Sequence, residues 1–326
     1  MRGQDFMIFI TENQVKELLD MESCIKLMEE TLSALGQGEA IQPLRTAMRL
    51  KENNILGLMP SAFHAKNITG AKVITIFPDN FSKGLHSHQG VVLVFETETG
   101  SLKAVVEGGA ITAIRTAAVS AVATDLLANE DAGILAILGS GMQARQHLEA
   151  MKLVRNIHTV RVWDRNKESS ITFSKEMNEK FNIHIQVCTT SQEAVNDADI
   201  ICTVTAAKEP ILFGRHVKKG AHVNAVGACT PNSRELDTDL IKNCKLYADC
   251  IESTENEAGD YLIPLTEGVI TKEHIQGELG DIILGKIKKR QNKDDITVFK
   301  ALGLAVEDLA AADFVINKAK KLKEEL

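Results

Sequence analysis

Ile134-Leu135-Ala136-Ile137-Leu138-Gly139-Ser140-Gly141-Met142-Gln143-Ala144 is the stretch on which the fold of this chain turns. Five consecutive apolar residues suit a strand buried on both faces, and the glycines after them break it sharply. The last six residues have the form Gly-x-Gly-x-x-Ala. Between a strand and a helix, Gly139 makes the tight bend, Gly141 lets a pyrophosphate approach the backbone, and Ala144 lets the helix lie close on the strand. The N–H groups and dipole of the helix start then face the phosphates. Gln143–Leu153 carries a helical pattern and Thr159–Trp163 reads as the next strand, so the context is the required one. Asp164 closes that strand 20 residues past Ala144, where a carboxylate accepts hydrogen bonds from ribose hydroxyls and repels a 2′-phosphate. Arg165 beside it is a group that can take such a phosphate. The sequence therefore favours NAD(H) over NADP(H) and leaves both open. The expected cofactor residues are Gly139, Ser140, Gly141, Met142, Gln143, Ala144, Asp164 and Arg165, with Thr205, Val226 and Gly227 completing the set.

Working outward, Lys167–Lys180 reads as a helix, and His184–Cys188, Ile200–Val204 and His222–Val226 as strands. Such alternation predicts a parallel sheet with helices on its faces. Towards the N-terminus, Thr11 and Asp20 are suited to cap two amphipathic helices, the second ending at Gly36. Arg45–Leu50, Ile55–Met59, Ala71–Phe77, Val91–Glu96 and, after the Thr99-Gly100 turn, Leu102–Glu107 predict an antiparallel meander. Ala110–Ala128 reads as a long alanine-rich helix suited to the junction of two domains, and Gly303–Leu326 as a closing helix able to pack back on the N-terminal part. The expected class is α/β: a Rossmann domain over 119–303, and a second α+β domain for substrate binding and dimerisation over 1–118, completed by 304–326.

Composition narrows the function classes. Of 326 residues, 44% are hydrophobic and 25% charged, as in a globular protein, and the net charge of −7 argues against a nucleic-acid partner. The one basic cluster, Lys286–Arg290, reads as a solvated helix end or loop. No apolar stretch is expected to span a bilayer, and Gln4 and Asp5 stand where a signal peptide would be basic. A cytoplasmic protein with no membrane partner is expected. The six cysteines have no CxxC spacing and read as thiols, and His86-Ser87-His88 lacks further ligands nearby, so no metal is expected.

Several stretches taken together carry a family likeness. They are Gln42-Pro43-Leu44-Arg45-Thr46, Ala71-Lys72-Val73, Ile114-Arg115-Thr116-Ala117-Ala118-Val119-Ser120-Ala121, the glycine turn, Gly220–Gly227 and Val298–Gly303. With them the chain resembles the ornithine cyclodeaminase/mu-crystallin family from about Gln42 to about Ala311. The resemblance implies reduction of imines, or oxidative deamination of small amino acids, with a nicotinamide cofactor in a homodimer.

It also implies that Arg45, Lys72 and Arg115 surround a substrate carboxylate. The residue types agree, since arginine binds a carboxylate through two parallel hydrogen bonds and Lys72 is an odd charge for an otherwise apolar strand. A desolvated lysine beside arginines holds its proton loosely, which suits exchange with an imine nitrogen. Cyclodeaminases and the related alanine dehydrogenases carry an aspartate where this chain has Cys229. A neutral cysteine is a poor base, and this departure points to the ketimine-reductase side of the family. Glu257, in Glu257-Ala258-Gly259-Asp260, is a second acidic candidate. The expected reaction is reduction of a small cyclic imino acid to a cyclic L-amino acid. Ornithine cyclodeamination or alanine-dehydrogenase-like chemistry is the alternative, and a non-enzymatic, crystallin-like ligand binder the second.

Overall fold

The structure, a computed structural model, describes residues 7–324. The chain forms two compact units, one comprising residues up to Arg115 with those from Gly303 onward, the other Thr116–Leu302.

The first unit opens with β1 (Ile8–Ile10), α1 (Glu12–Leu18) and α2 (Met21–Gly36). Gln14 Oε1 accepts from Thr11 N at 3.0 Å and Asp20 Oδ1 from Ser23 N at 2.8 Å, so both helix starts are capped as the sequence predicts. There follow β2 (Ala40–Ile41), β3 (Thr46–Arg49), β4 (Ile55–Phe63), β5 (Ile68–Ile76), β6 (His88–Glu96) and β7 (Leu102–Glu107). The sheet runs β1-β7-β6-β5-β4-β2, with β3 also on β4; β4 to β7 are an antiparallel meander and β1 joins β7 in parallel. Strand β1 is absent from the sequence reading because three residues are too few to show a period. Met59, Phe63, Ile68, Val92, Val94, Ala104 and Val106 are buried on one face. The closing helix, Ala305–Glu324, packs across β4, β5 and β6 and on α2.

α3 (Gly108–Leu127) begins in this unit and runs on into the second. Contrary to the expectation that no stretch would be long enough, its 20 residues are apolar enough to cross a bilayer by length and composition. In the structure it is a core helix, buried over 83% of its most apolar window, which is the alternative reading of a helix apolar all round.

The second unit alternates strands and helices: β8 (Ile134–Leu138), α4 (Met142–Val154), β9 (Thr159–Trp163), α5 (Lys167–Phe181), β10 (Ile185–Val187), α6 (Ser191–Val195), β11 (Ile200–Thr203) and β12 (His222–Ala225). After them come α7 (Thr238–Asn243), β13 (Lys245–Ala248), α8 (Ile251–Glu257), α9 (Gly259–Thr266), β14 (Ile275–Glu278), α10 (Leu279–Ile283) and β15 (Thr297–Lys300). All eight strands are parallel, in the order β10-β9-β8-β11-β12-β15-β13-β14. The order reverses between β8 and β11, and such a switch point opens a ligand crevice at the carboxyl ends of the strands. The three lysines of the basic cluster are exposed, as read, and only Arg290 departs from that reading. Arg290 is not a solvated end: its guanidinium donates to Leu127 O at 2.6 Å, closing the end of α3, and to Thr297 Oγ1 at 3.0 Å.

Candidate functional site

In the first unit, three cations meet the start of the closing helix. Lys72 lies in the middle of β5 between Met59 and Val92, 3% exposed. Its Nζ is 2.5 Å from Asp308 Oδ2 and 3.4 Å from Thr112 Oγ1. Arg115, on α3, donates from Nε to Asp308 Oδ1 at 2.8 Å and from Nη1 to Glu307 Oε2 at 2.9 Å. Glu307 Oε2 also accepts from Leu304 N at 3.1 Å. Arg45 is half-buried and donates from Nη2 to Gly303 O at 3.2 Å. A side chain at Gly303 would put its Cβ 2.5 Å from Arg115 Nη1, so glycine is what lets the guanidinium lie there.

These contacts set the charges. Burial pushes the Lys72 ammonium down to about 8, with Arg115 and Arg45 adding to that and Asp308 opposing it. Burial also pushes the Asp308 carboxyl up, but Arg115 and Lys72 outweigh it and hold it below the usual range. The ion pairs are buried, not the surface pairs that Arg and Lys ordinarily form.

In the second unit the glycine turn joins β8 to α4. Gly139 has φ of +113°, and a Cβ there would lie 2.8 Å from Val204 O, whereas a Cβ on Gly141 would meet no protein atom within 4 Å. The α4 start carries no side-chain cap, so its N–H groups are available to an anion. Tight bend, open approach and uncapped helix start fit a dinucleotide pyrophosphate. Asp164 Oδ2 accepts from Ser140 N and Ser140 Oγ, both at 2.9 Å, and Oδ1 from Asn166 N at 2.9 Å. The carboxylate thus fixes the turn, a role the sequence does not announce. Arg165 is exposed next to it. Met142 is exposed, and Gln143 and Ala144 follow it in the first turn of α4.

Residues 6–323 match the ornithine cyclodeaminase/mu-crystallin family. The chain belongs to this family. Ketimine reductase mu-crystallin of Mus musculus is 40% identical over 314 residues, covering 95% of this chain and 96% of that one. A Delta(1)-pyrroline-2-carboxylate reductase of Bacillus cereus is 36% identical over 315 residues, covering 96% and 97%. The Thermococcus litoralis Delta(1)-pyrroline-2-carboxylate reductase, solved in complex with NADH and L-proline, superposes with a TM-score of 0.95 at 37% identity, over 97% of this chain and 98% of that one.

Within the family fold, the remaining candidates lie beyond the ends of β11 and β12. Thr205 donates from N and Oγ1 to Glu235 Oε1, each at 2.7 Å, and Gly227 N donates to Glu235 Oε2 at 2.8 Å. Val226 N donates to Thr203 O at 3.0 Å. Cys229 is half-buried, its Sγ 3.4 Å from Val226 O. Glu257 ends α8, half-buried; two residues on, Gly259 N donates to Thr230 O at 3.2 Å, which brings this segment to the loop that follows Cys229.

Sequence reasoning missed two groups. Glu307 and Asp308 organise Lys72 and Arg115, and their signal was a pair of acids inside the apolar stripe Leu304–Ala312. The other is Glu235, Asp260 and Lys300, all buried. Lys300 Nζ donates to Asp260 Oδ2 at 2.9 Å and to Ala228 O at 2.6 Å, and Asp260 Oδ1 accepts from Glu235 N at 2.8 Å and Leu236 N at 3.0 Å. Burial raises the proton affinity of Glu235, with Asp260 adding to it; burial lowers that of Lys300, but Asp260, Cys229 and Glu235 together outweigh it and the net change is upward.

Proposed function

We propose that this chain reduces small cyclic α-imino acids, Δ1-pyrroline-2-carboxylate or Δ1-piperideine-2-carboxylate, to the corresponding cyclic L-amino acids. The observation that carries the reading is Lys72: a buried ammonium, its proton loosened to about 8, flanked by Arg115 and Arg45. Two arginines suit one carboxylate, and a lysine with a loosened proton suits an imine nitrogen that must be protonated before its carbon accepts hydride. In the proposed reaction Arg45 and Arg115 hold the carboxylate, orienting the ring. Lys72 gives its proton to the imine nitrogen. A nicotinamide held beside the substrate would supply the hydride for the imine carbon. The residues that would hold that cofactor are the turn Gly139–Ala144 and Asp164. We favour NADH over NADPH because Asp164 repels a 2′-phosphate, with Arg165 the group that could reverse the preference. The named activities of the relatives support the same reaction class.

Cys229 speaks against the deaminating alternative, since its thiol is turned to the backbone carbonyl of Val226. We also propose a homodimer. The face of the first unit's sheet turned away from the closing helix exposes Ile41 and Met48 at 54% each and Leu58 at 44%, an apolar surface of the kind that pairs with its own copy.

The test is loss of reduced-nicotinamide absorbance when the purified protein meets NADH or NADPH and each cyclic imine in turn, beside pyruvate with ammonia, and its gain with ornithine and NAD. Rapid oxidation with a cyclic imine is the expected result. Turnover of ornithine, or of pyruvate with ammonia, and none of the cyclic imines would reject the proposal.

A further inference from the structure

In the first unit a single carboxylate, that of Asp308, contacts two cations at once. Its Oδ2 is 2.5 Å from Lys72 Nζ and its Oδ1 accepts from Arg115 Nε at 2.8 Å, with the side chain fully buried. Beside it, Glu307 accepts from Arg115 Nη1 and from Leu304 N.

We propose that Asp308 is the positioning residue of the reaction, a single carboxylate that keeps Lys72 protonated until the imine takes the proton and at the same time aims Arg115. This rests on the reading of Lys72 as proton donor given above.

The groups that face Lys72 come from every element around it. They are Asp308 from the closing helix, Thr112 and Arg115 from α3, Arg45 from the segment before β3, and His88 from β6, an exposed residue on the same face of the sheet. Met59 and Val92 flank it in the sheet and are apolar. Among these groups Asp308 alone is an anion. Without it, burial and two guanidinium groups, Arg115 still paired with Glu307, all favour the neutral amine. A neutral amine cannot protonate an imine. With Asp308 in place the ammonium persists at neutral pH, and a substrate carboxylate arriving at the arginines reinforces it. The sign for activity follows. Activity requires protonated Lys72, so it falls as pH rises through about 8 in the wild type, and the fall comes at lower pH when Asp308 is neutralised.

The experiment follows Lys72 itself. Protein labelled with ¹³C at lysine Cε is titrated by NMR without substrate, the Lys72 signal being assigned by its loss in Lys72→Met. Asp308→Asn is expected to move its titration down by about 1–3 units, the usual effect of an opposite charge at this range. Asp308→Glu is expected to stay closer to the wild type, and Asp308→Ser replaces Asn should that variant not fold. The alkaline limb of kcat/KM for a cyclic imine is expected to move with the signal. A Lys72 signal that titrates at the wild-type pH in the neutral variants overturns the assignment. A signal that moves, in a protein that reduces no cyclic imine, upholds the link between Asp308 and Lys72 and removes the activity on which its catalytic meaning rests.

Discussion

The two units each bury a lysine against carboxylates, and they do so differently. In the first, the contacts of Lys72 and Arg115 run to side chains, Asp308 and Glu307, carried by one helix turn. In the second, the carboxylates of Glu235 and Asp260 accept mainly from the backbone and from threonines: Thr205, Gly227, Glu235 and Leu236 give N–H groups, and Thr203 and Thr205 hydroxyls. Lys300 in turn donates to the carbonyls of Ala225 and Ala228 as well as to Asp260. A network tied to the backbone fixes the path of the chain, here the loops after β11 and β12. A network of side chains leaves its charges adjustable, which is what proton transfer and anion binding need.

The contrast is broken most directly by removing each lysine. Lys300→Met strands Asp260 and is expected to cost about 3–5 kcal/mol of stability, read from urea unfolding. Lys72→Met leaves Asp308 paired with Arg115, so its loss of stability is smaller, while imine reduction falls by about 10²–10⁴-fold. Equal destabilisation by the two would dissolve the distinction. Gly227→Ala comes next. Its Cβ would lie 2.1 Å from Thr205 O and 2.7 Å from Glu235 Oε1, an overpacking expected to cost about 1–3 kcal/mol and to weaken NADH in a fluorescence titration. Asp164→Ala frees the turn, leaving Ser140 N without its acceptor, and NADH affinity is expected to fall by roughly tenfold or more. The smallest effect is expected from Cys229→Ser, under about 1 kcal/mol in the same unfolding assay, because a hydroxyl can donate to Val226 O as the thiol does. A large loss of imine reduction there would give Cys229 a chemical part that its geometry does not support.

What the sequence discloses follows from how local each feature is. Gly139–Ala144 and Asp164 are legible because turn, helix start and strand end lie within one βαβ stretch. The meander is legible from β-type runs, although β4, β5 and β6 each extend beyond the segments read. Strands β13, β14 and β15 are not, since each has four residues in the structure, too few to show a period, and β13 and β15 are buried on nearly every residue, so no alternation marks them. Lys72 stands out as a charge in an apolar strand, but its partner does not. Asp308 lies in the first turn of a helix, where an acid is ordinary, and only the folding of the closing helix across β5 gives it a second meaning. Glu235 and Asp260 hide for a related reason, because most of their partners are backbone atoms, which carry no residue identity.

Whether Lys72 gives the proton while the arginines bind the substrate is decided by single-turnover mixing of the NADH-loaded protein with Δ1-pyrroline-2-carboxylate, wild type beside Lys72→Ala, with imine binding measured separately. Imine binding is expected within about tenfold of wild type, with NADH oxidation slowed by about 10²-fold or more. NADH oxidation by Lys72→Ala at the wild-type rate would contradict that role for Lys72.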